Sequence, residues 1–243
     1  MRLFIRLHHV LLRYACYPLV LSSALACAML AGRIYLSQTW GYTHMVWNLF
    51  LAWIPFLCSI WIAQQAERHP RHSWWLLLPG MVWLIFLPNA PYMITDIRYI
   101  RFIESFLLWY DIVLIVAFAW TGCFLAVVSL HIVHTLASRH IGTAGGWIGV
   151  AMTTLLSGLG VYLGRFLRWN SWDVLVDPQG IMRDVVTHAT HPQQYQAVIA
   201  VTSTFAALLM VCYLMFKVTA YSLPAPHTYP RANAPHDRLL PRQ

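Results

Sequence analysis

Six runs of mainly apolar residues alternate with short polar segments along the chain. An α-helix rises about 1.5 Å per residue, so about 20 uncharged residues cross a hydrocarbon core roughly 30 Å thick. The pattern therefore predicts an all-α membrane protein, a bundle of about six transmembrane helices. The predicted spans are residues 14–32, 45–65, 74–95, 106–136, 144–167 and 195–221.

The two ends of the chain differ in composition from the central spans. The first span follows Arg13 and contains the small-residue stretch from Ala24 to Ala28, so it imitates a signal peptide. Cleavage before Cys27 is one alternative, but we favour an uncleaved first helix because further spans follow it. Residues 222–243 are rich in proline and polar residues, and they predict a disordered cytoplasmic tail after a single transmembrane domain, residues 1–221.

Lysine and arginine predict the orientation, because positively charged loops stay in the cytoplasm. With the N-terminus inside, ten basic residues fall on the cytoplasmic side and six on the other. The bundle is therefore predicted to be N-in and C-in. Six of the eight acidic residues then lie on the outer side: Asp96, Glu104, Asp111, Asp173, Asp177 and Asp184.

The third span carries two prolines, Pro88 and Pro91, near its outer end. Proline removes a backbone donor and disfavours helix in the residue before it, so the helix should kink or break near Leu87. The residues from Pro88 to Thr95 would then form irregular backbone at membrane depth. Such backbone either packs on neighbouring helices or lines a polar pocket.

Charged residues inside or beside the spans are the candidates for chemistry. Asp111 lies near the start of the fourth span, where it either faces the bundle interior or caps the helix. Arg165 and Arg168 share one face at the end of the fifth span, and they can pair with Asp96, Asp111 or Asp173 or extend to the interface beside tryptophans. The candidate ligand-binding residues are Asn48, Asn89, Asp96, Asp111, Arg165, Arg168, Asn170 and Asp173.

The fifth span and the segment after it have structural signals of their own. Glycines at GxxxG spacing predict close helix packing: Gly142 with Gly146, Gly145 with Gly149, and Gly160 with Gly164. Asp177 and Pro178 fit the start of a short interfacial helix.

Composition excludes several classes of protein. The chain is 59% hydrophobic and only 10% charged, which is too few charges for a water-facing surface. The net charge of +8 comes from scattered basic residues, so no nucleic-acid partner is expected. The five cysteines occur singly, and the pairs His131/His134 and His188/His191 lack a further ligand signature, so neither a disulfide framework nor a metal or other cofactor is expected.

Long segments of the sequence resemble a family of bacterial membrane proteins catalogued as domain of unknown function 1361. The matching segments are NLFLAWIP (48–55), FLPNAPYMITD (86–96), Tyr110-Asp111, AWTG (119–122) and YLGRFLRWNSWD (162–173). The resemblance implies a polytopic fold, and it implies no catalytic residues because the family has no assigned activity.

Three functions are compatible with the polar residues on the outer side. The outer polar residues could bind or transport a small anionic or zwitterionic solute or a lipid head group, which makes membrane lipid the expected partner. They could instead belong to an enzyme of the bacterial inner membrane that acts on a lipid-linked substrate. Finally, they could hold the helix ends together or serve an assembly partner.

Overall fold

The computed structural model describes residues 8, 11–68, 76–102, 107–190 and 192–222, and every regular element in these ranges is a helix. The longer α-helices are α1 (Cys16–Ser37), α2 (His44–Arg68), α3 (Leu77–Phe86), α5 (Leu108–Tyr162), α7 (Pro178–Thr190) and α8 (Pro192–Ser222). The short elements are α4 (Asn89–Tyr92), a 3₁₀-helix (Met93–Phe102), a π-helical turn (Leu163–Leu167) and α6 (Asp173–Val176).

Five described stretches are long and apolar enough to cross a membrane: Cys16–Ser37, His44–Arg68, Leu77–Tyr99, Leu108–Leu167 and Tyr195–Ala220. The predicted fold class, an all-α membrane protein, is confirmed. The count of six spans, the N-in/C-in orientation and the uncleaved first helix stay predictions. The predicted tail lies outside the described residues beyond Ser222.

The longest of these stretches folds back on itself. The backbone of α5 leaves helical geometry at Gly142, where φ is +81° and ψ is 165°. A Cβ atom added to Gly146 would clash with Ser138 and lie 2.9 Å from the ring of His134, so the segments before and after Gly142 lie side by side. We call them α5a (residues 108–141) and α5b (residues 143–162). They coincide closely with the fourth and fifth predicted spans.

The core and the outer surface of the bundle are both apolar. Phe56, Leu87 and Phe118 are completely buried, whereas Leu21 and Leu78 are 72% and 73% exposed. Large apolar side chains exposed on this scale along the spans are unfavourable in water and favourable in lipid. All five cysteines are free thiols.

The third predicted span is interrupted where its prolines lie, as expected. Helix α3 ends at Phe86, and the chain continues through α4 into the 3₁₀-helix. The residues after the interruption are not irregular, however: Leu87, Pro88 and Met93 all keep right-handed helical dihedral angles. Pro88 and Pro91 change the hydrogen-bonding pattern, because the Ala90 amide donates to the Leu87 carbonyl at 3.1 Å, three residues back.

Glycines bring the neighbouring segments into close contact at this interruption. A Cβ atom on Gly160 of α5b would lie 2.5 Å from the ring of Pro88, and one on Gly122 of α5a would lie 2.6 Å from the carbonyl oxygen of Ala90. The third span is therefore packed directly between the two halves of α5. The predicted packing role of Gly160 is confirmed, whereas Gly149 faces open space.

Candidate functional site: a polar cavity at one end of the bundle

Two buried ion pairs lie at one end of the bundle, where α1 and α5b end and α2 and α5a begin. We call this the polar end. In the first pair, the Nε and Nη2 atoms of Arg33 donate to the two carboxylate oxygens of Asp111 at 2.6 and 3.2 Å. The side chain of Asp111 is fully buried, and that of Arg33 is 11% exposed. This bidentate geometry neutralises the buried carboxylate.

Tyr42, in the connection between α1 and α2, adds a third group to this pair. Its hydroxyl donates to Oδ2 of Asp111 at 3.4 Å. Burial and the nearby Asp111 carboxylate raise the pKa of Tyr42 to about 12. The phenol therefore stays protonated at neutral pH and can remain a hydrogen-bond donor to Asp111.

The second ion pair joins the 3₁₀-helix to the π-helical turn. Nη2 of Arg165 donates to Oδ1 of Asp96 at 2.5 Å, and Nε donates to the Thr95 hydroxyl at 2.6 Å. The guanidinium carbon also lies 4.3 Å from the centroid of the Tyr92 ring, within cation–π range. The Arg165 and Asp96 side chains are 9% and 1% exposed, so this pair is also buried.

Helix α2 contacts the second pair through its first residues. The Asn48 amide donates to Oδ2 of Asp96 at 3.4 Å, and the His44 ring lies 3.9 Å from the same oxygen. Asp96 therefore holds together the third span, the end of α5b and the beginning of α2.

These contacts resolve the pairing alternatives that the sequence leaves open. Arg165 pairs with Asp96, and Asp111 pairs with Arg33 instead of with Arg165 or Arg168. Sequence reasoning missed Arg33, Tyr42 and Thr95 as members of this cluster. A charged residue at the end of the first span is a signal for Arg33, but its partner lies 78 residues away, so the pairing itself requires the tertiary structure.

Arg168 is placed differently from Arg165 although only three residues separate them. The π-helical turn adds a residue to the last turn of the helix, and Arg168 then adopts a left-handed conformation with φ of +62°. The Trp169 amide closes the helix by donating to the Leu163 carbonyl at 3.2 Å. Arg168 is exposed, and it forms no ion pair with any described residue.

Arg168 lines an open cavity of about 270 Å³ between α2, the third span, α5b and the segment that follows it. The polar side chains of the lining are Asn48, Asn89, Tyr92, Arg168, Asn170 and Ser171, beside Trp47, Trp169 and Trp172. Four of the eight predicted binding residues thus share one cavity. The other four, Asp96, Asp111, Arg165 and Asp173, lie outside its lining.

The three amides of the lining have their nitrogen atoms engaged within the protein. Asn48 donates to Asp96, as described above, and Asn170 donates to Asp173 at 3.1 Å. Asn89 donates to the Phe86 carbonyl at 2.9 Å and to the Ser171 hydroxyl at 2.8 Å. Because the carbonyl and the carboxylates accept hydrogen bonds, these contacts orient the amides. Each side-chain oxygen keeps its accepting capacity.

Two further carboxylates hold the wall of the cavity. Asp173 accepts from the Asn170 backbone amide at 2.6 Å, and Asp184 of α7 accepts from the Trp169 indole at 2.9 Å. Helix α7 begins as the sequence predicts, because Asp177 accepts from the Gly180 amide at 2.8 Å. The acidic residues of this segment therefore position Trp169 and Asn170.

The His131/His134 pair lies among aromatic side chains. His134 bonds to Tyr213, and its ring lies 4.8 Å from the ring of Trp147, so it packs between aromatic side chains. No group of three potential metal ligands occurs within the described ranges, and the side chain of His191 lies outside them.

The fold and the charged end of the bundle define a helical membrane protein of the multi-pass type. A family model described as "Protein of unknown function (DUF1361)" matches residues 47–212. Since this match covers more than half of the chain, the protein belongs to that family, and the resemblance drawn from its motifs is confirmed. No curated protein and no solved structure gives a significant match.

Proposed function

We propose that this protein binds a small ligand carrying a phosphate or carboxylate group in the cavity at the polar end, on the extracytoplasmic face of a bacterial inner membrane. The observation that carries the proposal is the exposed guanidinium group of Arg168, which lines the cavity without an ion-pair partner among the described residues. A guanidinium group binds the oxygens of phosphate and carboxylate in a bidentate manner. The ligand is a membrane lipid head group or a small solute.

The other arginines of the cluster support a division of roles. Arg33 and Arg165 each hold a buried carboxylate, so their charges are already neutralised inside the protein. We assign these pairs to structure, because each joins segments that are distant in the sequence. Arg168 has its charge available to a ligand.

The lining of the cavity favours binding over catalysis. No carboxylate, histidine or cysteine is present among the described residues that line it. General acid–base catalysis most often uses such a group within hydrogen-bond reach of the reacting atoms, and Tyr92, which also lines the cavity, packs its ring against Arg165. The amides, the tryptophans and Arg168 are instead suited to recognising a polar head group. We therefore prefer a binding protein to an enzyme acting on a lipid-linked substrate.

The proposal is tested on the full chain purified in detergent, by native mass spectrometry with a phospholipid and with a diacylglycerol of the same acyl chains. The wild-type protein is expected to retain the phospholipid and to release the diacylglycerol. Arg168→Gln is expected to weaken phospholipid binding by about tenfold or more, since a hydrogen bond to a charged group contributes about 1.5–3 kcal/mol.

Arg183→Gln is the matched control, because Arg183 is exposed on α7 and lies outside the cavity lining. It should leave phospholipid binding unchanged. Equal binding of the phospholipid to the wild-type protein and to Arg168→Gln would overturn the proposal, provided that both proteins show the same thermal unfolding.

A further inference from the structure

The hydrogen-bonding groups that the protein leaves available in this cavity restrict the chemical class of its ligand. Asn48, Asn89 and Asn170 use their amide nitrogens within the protein, at distances between 2.8 and 3.4 Å. Their Oδ1 atoms have no partner among the described residues. The cavity therefore presents three amide oxygens as acceptors, beside the hydroxyls of Tyr92 and Ser171, together with one cation, Arg168.

A ligand that matches this set combines an anionic group with several hydrogen-bond donors. A primary ammonium group supplies three N–H donors and accepts no hydrogen bond, so it complements amide oxygens. A hydroxyl group donates once and also accepts, and the three amide oxygens outnumber the N–H groups of Asn48 and Asn170 that no described residue accepts. The balance of donors and acceptors thus favours an ammonium group over a polyol.

The charges around the cavity indicate the same class of ligand. Asp173 and Asp184 bond to the lining residues Asn170 and Trp169, so two negative charges lie next to the wall that also carries the positive charge of Arg168. A purely anionic ligand would be attracted by one group and repelled by two. A zwitterion places its anionic group on Arg168 and its cation nearer the carboxylates.

The aromatic residues of the lining add a further favourable contact. Trp47 and Trp172 both line the cavity, and the two residues are 54% and 39% exposed. Cations are attracted to the face of an indole ring, and tryptophan is the strongest of the aromatic side chains in this interaction. This attraction acts on the ammonium group and not on the phosphate.

From these observations we propose that the cavity recognises a zwitterionic phosphate ester with a primary ammonium group, the chemistry of a phosphoethanolamine head group. The inference rests on the proposed function, because it assigns the anionic half of the ligand to Arg168. The same chemistry is present in a membrane phospholipid and in a free phosphate monoester, and the experiment distinguishes these two sources.

The test compares phospholipids that have identical acyl chains and different head groups on the full chain in detergent. Phosphatidylethanolamine is expected to bind with a Kd about tenfold lower than phosphatidylcholine, which carries a positive charge but no N–H donor. A tenfold change corresponds to about 1.4 kcal/mol, close to the contribution of one hydrogen bond. Phosphatidylethanolamine should also bind more tightly than phosphatidylglycerol, which has hydroxyl groups in place of the ammonium.

Asn170→Ala provides the matched variant because it removes one acceptor from the lining. We expect it to weaken the binding of phosphatidylethanolamine more than the binding of phosphatidylcholine, because only the primary ammonium group donates a hydrogen bond to the Asn170 oxygen. Thermal unfolding of Asn170→Ala like that of the wild-type protein shows that the variant is folded, so that a change in the two affinities reports on the cavity. Gln179→Ala, an exposed amide of α7 outside the lining, should change neither.

Each outcome has a defined consequence. Equal affinity for phosphatidylethanolamine and phosphatidylcholine, or tighter binding of phosphatidylglycerol, would overturn the ammonium inference. If binding still depends on Arg168, the proposed function survives that result; if no phospholipid shows this dependence, both fail. Competition by free phosphoethanolamine at a Kd similar to that of the lipid would identify a soluble ligand, and its failure to compete would identify the lipid.

Discussion

Asp111 and Asp96 are almost completely inaccessible, and each is held by an arginine from a distant part of the chain. A buried ion pair is weak evidence for net stabilisation, because removing both charges from water is costly. Loss of one partner is strongly destabilising, since it leaves the other charge buried without compensation. These residues are therefore sensitive to single substitutions.

We predict that Asp111→Asn lowers the free energy of unfolding by about 3–5 kcal/mol, because Arg33 then keeps an unpaired and mostly buried charge. Replacing both residues together, as Arg33→Met with Asp111→Leu, should recover much of this loss. Thermal or denaturant unfolding in detergent measures both effects.

The exposed pair Arg13–Glu67 is the control for this prediction. Its atoms lie 2.7 Å apart, but the two side chains are 57% and 45% exposed. Glu67→Gln should therefore cost at most about 1 kcal/mol. A loss at Asp111 as small as the loss at Glu67 would show that the buried pair does not hold the helices together.

At the level of elements, the turn at Gly142 determines how the longest helical run is arranged. The backbone there has φ of +81° and ψ of 165°, a region that is essentially restricted to glycine. This single residue reverses the chain between α5a and α5b. The reversal brings Asp111 near the start of α5a and Arg165 just after α5b to the same end of the bundle.

Gly142→Ala is predicted to destabilise the protein by about 1–3 kcal/mol, because the added Cβ atom strains this conformation. The control is Gly149→Ala in α5b, where the Cβ atom meets no atom within 4 Å. That change should be neutral or stabilise the helix by up to about 1 kcal/mol, since alanine has the higher helix propensity. The unfolding temperatures of the two variants in detergent test the prediction, and the opposite order would contradict it.

For the whole molecule, the polar end and the Gly142 turn lie at opposite ends of the bundle. The distribution of basic residues predicts that the turn faces the cytoplasm and that the polar end faces outward. The proposed ligand would accordingly reach the cavity from the extracytoplasmic side.

Cysteine labelling tests this orientation in a background without the native cysteines. Gln179→Cys, at the polar end, should react with a membrane-impermeant maleimide added to intact cells. His140→Cys, beside the turn, should react only after permeabilisation. Both positions are exposed in the structure, so access to solvent is matched. The reverse labelling pattern would place the cavity in the cytoplasm.

The fold class follows from the amino-acid sequence alone, because hydrophobic runs long enough to cross a bilayer are a local property of the chain. The sequence also indicated the interruption at Pro88 and the start of α7 at Asp177, since both depend on neighbouring residues. Asn48, Asn89, Arg168 and Asn170 were predicted as site residues from their place near the ends of spans, and the structure brings these four into one cavity.

Which charges are available to a ligand depends, in contrast, on how the helices pack together. The spacing of Arg165 and Arg168 in the sequence does not distinguish their roles. Because of the π-helical turn and the left-handed conformation of Arg168, Arg165 pairs with Asp96 whereas Arg168 lines the cavity. Asp111 pairs with Arg33 across 78 residues. Such contacts depend on how separate helices pack against one another, and the residues adjacent to each partner do not specify them.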